Sequence, residues 1–137
     1  MLGLVLALVL GGCGGRSPSP ESVVRAWSHA VNTDDNETAA KLFAPGAEIV
    51  QPGTVLTLET HQQAVAWNAA LPCSGEIVRI SAAGDTVTAT FRLGDRRTSK
   101  CDGPGERATT VVRVKDGKIV LWHQTAARRG PPPPPPV

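Results

Sequence analysis

The sequence predicts an α+β domain in which three N-terminal helices with short strands precede an antiparallel four-strand meander, and three observations carry that prediction. Apolar residues at helical spacing, each run opened by a capping signal, are confined to the first half. Strict alternation fills the last third. Two hairpin-type turns, Gly84-Asp85 and Asp116-Gly117, sit at the centres of alternating runs.

Each element can be justified in order. Ser19 can cap a helix with Pro20 in its first turn, and Val23, Trp27, Ala30 and Val31 then share one face. A second helix begins near Asp34 or Asp35, runs through "NETAAKLF" and stops at "APG". Short extended pieces, "AEIV" and "VLTL", flank "QPG". Thr60 and Gln63 have the spacing of a capping box, and the helix they open carries Ala64, Trp67 and Leu71 inward until Pro72 ends it.

The meander registers follow from the turns. A two-residue turn at Gly84 and Asp85 pairs Ala82 with Val87, Ile80 with Ala89 and Val78 with Phe91, all on one face. Asp116-Gly117 suits a type I′ turn and pairs Val114 with Ile119, Val112 with Leu121 and Thr110 with His123. The outer face of the first hairpin is then hydroxyl and arginine. That of the second shows Val111, Val120 and Trp122, an apolar patch that reads either as a partner surface or as a flank covered by a tail.

The ends of the chain have a different character. Leu2 to Leu10 is nine apolar residues, far short of the roughly 20 that cross a bilayer, and small residues follow as in a secretory signal. "LGGC", Leu10 to Cys13, resembles a bacterial lipobox. That resemblance implies diacylglycerol on the Cys13 thiol, cleavage before it, and a mature protein anchored to a membrane outside the cytoplasm, with two or more acyl chains for a stable hold. The expected organisation is a signal peptide at 1–12, a Gly/Ser/Pro tether at 13–19, the domain at 20–126 and a proline-rich disordered tail at 127–137.

With Cys13 committed to lipid, Cys73 and Cys101 remain, and an oxidising compartment makes them a disulfide pair. Extending the Gly84 hairpin puts Cys73 beside the start of "GDRRTSKCDGPG", which can fold back to bring Cys101 alongside. Charge excludes one class of partner: between Pro20 and Gln124 eleven basic residues face twelve acidic ones with no basic stripe, so nucleic acid is not expected.

The order of elements, with "ESVVRAWSHAVNTDDNETAAKLFAPGAEIV" near the front and "RVKDGKIVLWHQ" at the back, resembles the nuclear transport factor 2-like superfamily, including its SnoaL-like members. The resemblance implies a cone in which a curved sheet wraps a long helix. It also implies a pocket at the open end and dimerisation through the sheet. Pocket candidates are Trp27, Trp67, Glu76, Phe91, Thr110 and His123.

Ketosteroid isomerases of this superfamily commonly place a tyrosine beside a protonated acid, and this chain has no tyrosine. The epoxide hydrolases' carboxylate and arginine set finds no match on the inner face of the meander. His123 with Glu76 could perform acid–base work only if the two met; a lone histidine on an apolar strand face more often packs or hydrogen-bonds. His29, His61 and His123 fall in separate elements without HxH or HExxH spacing, so neither metal nor cofactor is expected. The sequence thus points to a non-catalytic module for a small apolar ligand or a protein partner. The alternatives are an isomerase, cyclase or hydrolase using the pocket, and an accessory subunit acting through its sheet.

Overall fold

A computed structural model describes residues 16–125 together with Pro135 and Pro136. The expected signal peptide, Cys13 and most of the proline run lie outside the described residues.

Helix α1 spans Pro20–Asn32, with Ser19 accepting the Ser22 amide and Pro20 in the first turn. Its apolar stripe buries Val23, Val24, Trp27, Ala30 and Val31, and burial of a valine-sized side chain contributes roughly 1.5–3 kcal/mol. Asp34 at φ 56° breaks the helix, and Asp35 caps α2, Asn36–Lys41. Strands β1 (Phe43–Gln51) and β2 (Thr54–Leu58) form a hairpin. The capping box of Thr60 and Gln63 opens α3, His61–Ala70. Strands β3 (Cys73–Ala83), β4 (Thr86–Asp95), β5 (Arg107–Lys115) and β6 (Lys118–Gln124) complete the meander.

The four strands of the meander do not stand alone. β1 pairs in parallel with β6, giving a six-stranded sheet in the order β2-β1-β6-β5-β4-β3. "APG", expected to end the second helix, lies inside β1. Pro45 has no amide to donate and Gly46 sits at φ 82°, and the β1–β6 register shifts between Phe43 and Glu48 around them.

Two further bulges alter the registers expected from the turns. In the first hairpin Ala82 pairs with Val87 and Ile80 with Ala89, but the partner of Phe91 is Ile77, because Val78 is an extra residue. In the second, Asp116 at φ 50° and Gly117 at φ 74° make the left-handed pair of a type I′ turn, and Val114 pairs with Ile119. The register then shifts, so that Val112 faces Trp122 and Thr110 faces Gln124. A one-residue slip exchanges faces along the remainder of the strand.

The consequence falls on two residues. Trp122, expected on the outer dimer face, is 3% exposed and packs in the core, with ring centroids 5.7 Å from Trp27 and 4.9 Å from Trp67. His123, expected inside, is exposed on the outer face opposite Val111. The bulges also bend the sheet, which is what lets it curl around α1.

Candidate functional site

Curling the sheet around α1 leaves a cavity of about 510 Å³ at the open end of the cone. Its inner wall is apolar: Trp27 and Val31 from α1, Phe91 and Leu93 from β4, Ala108 from β5 and Trp122 from β6. Three rings meet there at steep angles. Trp27 lies 6.0 Å from Phe91 at 78° and 5.7 Å from Trp122 at 60°. Thr110, only 1% exposed, adds a hydroxyl-bearing side chain to the same wall.

The tryptophans are fixed by specific partners. The Trp27 indole N–H donates to Asn68 Oδ1 at 2.8 Å, and Asn68, fully buried, donates in turn to the Ala64 carbonyl. Trp67 does not line the cavity; it packs behind Trp122 and donates to Gln51 Oε1 at 3.4 Å, while Gln51 Nε2 reaches Gln124 Oε1 at 3.5 Å. Trp122 Nε1 is buried and has no partner among the described residues.

The mouth is polar. Asn32, Gln51 and Gln124 stand on it, with the carboxylates of Asp102 and Glu106 from the β4–β5 connection. Asn32 acts as a substitute backbone: its amide nitrogen donates to the Gly75 carbonyl at 2.8 Å and its oxygen accepts the Gly75 amide at 2.9 Å, which docks α1 on the start of β3. A Cβ at Gly75 would stand 3.0 Å from the Phe91 side chain, so a larger residue there would require Phe91 to shift.

The connection carrying the carboxylates is held on all sides. Cys73 and Cys101 form the expected disulfide, with sulfurs 2.08 Å apart. Cys101 N–H donates to Asp95 Oδ1, and the Ser99 hydroxyl donates to the Pro72 carbonyl. Beneath it, the Arg96 guanidinium is almost completely buried. It donates to Asp34 Oδ1 at 2.8 Å, to Asn36 Oδ1 at 2.8 Å and to the carbonyls of Asn68 and Leu71 at 2.6 and 2.9 Å. One side chain therefore ties together the α1–α2 break, the end of α3 and the loop of the rim.

Of the six pocket candidates, Trp27, Phe91 and Thr110 line the cavity. Glu76 is exposed, pairs with Arg92 at 3.6 Å and borders a separate shallow hollow with Arg25 and His29. Its strand, β3, is separated from the strand of His123 by β4 and β5, so the two do not form an acid–base pair. Asp102 and Glu106 were not singled out by sequence, although the disulfide had already placed their loop on the rim. Cys73, Cys101 and Asp102 converge, but the sulfurs are bonded to each other and neither is a thiolate able to ligate a metal.

Solved structures share this architecture at low identity. A proposed ketosteroid isomerase from Kribbella flavida superposes with a TM-score of 0.66 at 19% identity, over 85% of this chain and 83% of its own. A proposed polyketide cyclase from Sinorhizobium meliloti gives 0.62 at 20% identity, over 76% and 94%. A protein of ketosteroid isomerase-like fold from Catenulispora acidiphila, in complex with trimethylamine, gives 0.61 at 21% identity, over 80% and 87%. No curated protein matches the chain. The SnoaL-like domain matches residues 24–122, nearly all of the cone built by α1 to β6, and the chain accordingly belongs to the SnoaL-like family of the nuclear transport factor 2-like fold.

Proposed function

We propose that the domain is a non-catalytic binding module that takes a small, largely apolar molecule into the cone, and that acylated Cys13 holds it on a membrane outside the cytoplasm. The observation that supports binding most directly is the cavity wall of Trp27, Phe91, Leu93, Ala108 and Trp122, open to solvent through a polar mouth. Binding sites for small molecules have this composition, an apolar interior with a few placed polar groups.

Calorimetric titration with 4-tert-butylphenol, a compact apolar probe with one hydroxyl, tests the reading. One-to-one saturable binding that disappears when Ala108→Phe fills the cavity is expected. Binding unchanged by that substitution would place the ligand elsewhere. A second reading, an acid–base enzyme, is favoured by two acidic residues, Asp102 and Glu106, among those that line the cavity. It predicts chemical turnover of a ligand that the binding module would return unaltered.

The Cys73–Cys101 disulfide is consistent with an oxidising compartment. Labelling with a fatty-acid analogue is expected to mark the wild type and not Cys13→Ser; a label that survives the change would overturn the anchor.

A further inference from the structure

We propose that the end of the cone opposite the cavity is a membrane-facing surface whose lysines engage anionic lipid headgroups, so that the cavity mouth points away from the bilayer. This rests on the anchor at Cys13 proposed above, to which it adds an orientation. The cavity is lined from one set of element tips: Asn32 in the last turn of α1, Ser74 at the start of β3, Leu93 near the end of β4, Ala108 at the start of β5 and Gln124 at the end of β6. The other tips of the same elements gather at the far end. There Pro20 opens α1, Gly84 and Asp85 turn β3 into β4, and Asp116 and Gly117 turn β5 into β6. Hydrogen bonds join these tips, from the Val114 amide to the Asp85 carbonyl at 2.8 Å and from the Ile119 amide to the Leu42 carbonyl at 2.7 Å. The 13 residues of α1 set the mouth about 20 Å away.

The tether belongs to the far end. Pro18 stands against the β5–β6 turn, so close that a Cβ at Gly117 would lie 3.0 Å from its Cδ. Residues 14–17 alone separate Cys13 from Pro18, and a chain of that length spans at most about 18 Å even when extended. An acylated Cys13 therefore holds the β5–β6 turn near the headgroups.

The same turn concentrates positive charge. Lys115 and Lys118 are register partners on either side of Asp116-Gly117, and the Lys118 ammonium donates to the Lys41 carbonyl, so three exposed lysines share one tip. None of them forms an ion pair among the described residues. Like charges directly opposite one another in a hairpin repel, a cost that an anionic surface offsets. Exposed Arg16 and Arg113 extend the patch, while the carboxylates of this end are Asp85 and Asp116 in the turns and Glu21, which pairs with Arg25 at 3.5 Å. Basic side chains next to a membrane are drawn to anionic lipid over about a Debye length, roughly 8 Å at physiological salt, a distance that the short tether lets them reach.

The acylated full chain in vesicles of phosphatidylcholine, alone or mixed with phosphatidylglycerol, with a trace of lipid bearing a headgroup nitroxide, tests the orientation. A fluorescent dye is attached through Ala83→Cys beside the β3–β4 turn or through Thr54→Cys on the mouth; with Cys13 acylated and Cys73 bonded to Cys101, the new thiol alone takes the dye. In mixed vesicles the dye at position 83 is expected to be quenched at least about threefold more than the dye at position 54. The combined Lys41→Gln, Lys115→Gln and Lys118→Gln changes are expected to lower the position 83 value to that in phosphatidylcholine alone, and high salt makes the same test without any substitution. Equal quenching at the two positions, or a position 83 value indifferent to lipid charge and to salt, would overturn the orientation while the protein still floats with the vesicles. A chain that carries no acyl group and does not float would overturn the anchor reading, and the orientation with it.

Discussion

Asp35 is the residue at which protonation and folding are most plainly linked. Its carboxylate accepts the Thr38 hydroxyl at 2.7 Å and the Thr38 amide at 3.1 Å, and these two bonds, the hydroxyl first, hold its pKa below the ordinary value. The folded state therefore favours the ionised form. The resulting stabilisation is complete above the ordinary carboxylate value and is lost as pH falls through the lowered folded value. Asp35→Asn keeps an oxygen for the cap but cannot ionise, so its melting temperature is expected to fall less steeply in acid than that of the wild type. Parallel acid limbs would contradict this. Arg96 shows the limit of reading residues from sequence: its neighbours in "GDRRTSK" give no hint that Arg96 is buried on four oxygens while Arg97 is exposed. That distinction depends on where Asp34, Asn36 and the end of α3 converge, which no local pattern encodes.

At the scale of elements, helix starts were legible because their signals are local: Ser19, Asp35 and Thr60 each cap the helix expected of them. Turns were legible for the same reason. Bulges were not, since the extra residues, Val78 in β3 and one between Ile119 and Leu121 in β6, match their neighbours in type and are fixed only by what the two faces must pack against. The β6 slip moved Trp122 inward and His123 outward. The disulfide could be inferred because the β3–β4 register brings Cys73 opposite Asp95, where the loop carrying Cys101 begins. Its sequence separation of 28 residues corresponds to about 3 kcal/mol in the chain-entropy account. Replacing both cysteines by serine is expected to lower unfolding free energy by about that amount in denaturant titration. It is also expected to weaken probe binding, because Cys73 forms part of the cavity wall. Unchanged stability with unchanged affinity would show that the bond neither supports the fold nor shapes the rim.

For the whole molecule, the inward position of Trp122 redirects the question of assembly. Trp122→Glu would bury a carboxylate between Trp27 and Trp67, and it is expected to unfold the domain rather than produce a monomer. The outer face is represented by Leu121, which lies beside Glu48 and opposite Arg113, and by half-buried Val111. If a second copy docks on this face, Leu121→Glu is expected to give a folded monomer at concentrations where the wild type sediments as a dimer. A wild type that sediments as a monomer removes the dimer.

The central claim, that the cone is a binding site built around Trp27 and Trp122, is tested most directly by the indole N–H signals of the three tryptophans in a proton–nitrogen correlation spectrum. Titration with 4-tert-butylphenol is expected to shift the Trp122 and Trp27 indole signals, as the probe's ring packs against these lining residues, while the backbone amides of Val111 and His123 on the outer face stay in place. Indole signals that remain fixed while those outer amides move would contradict the account.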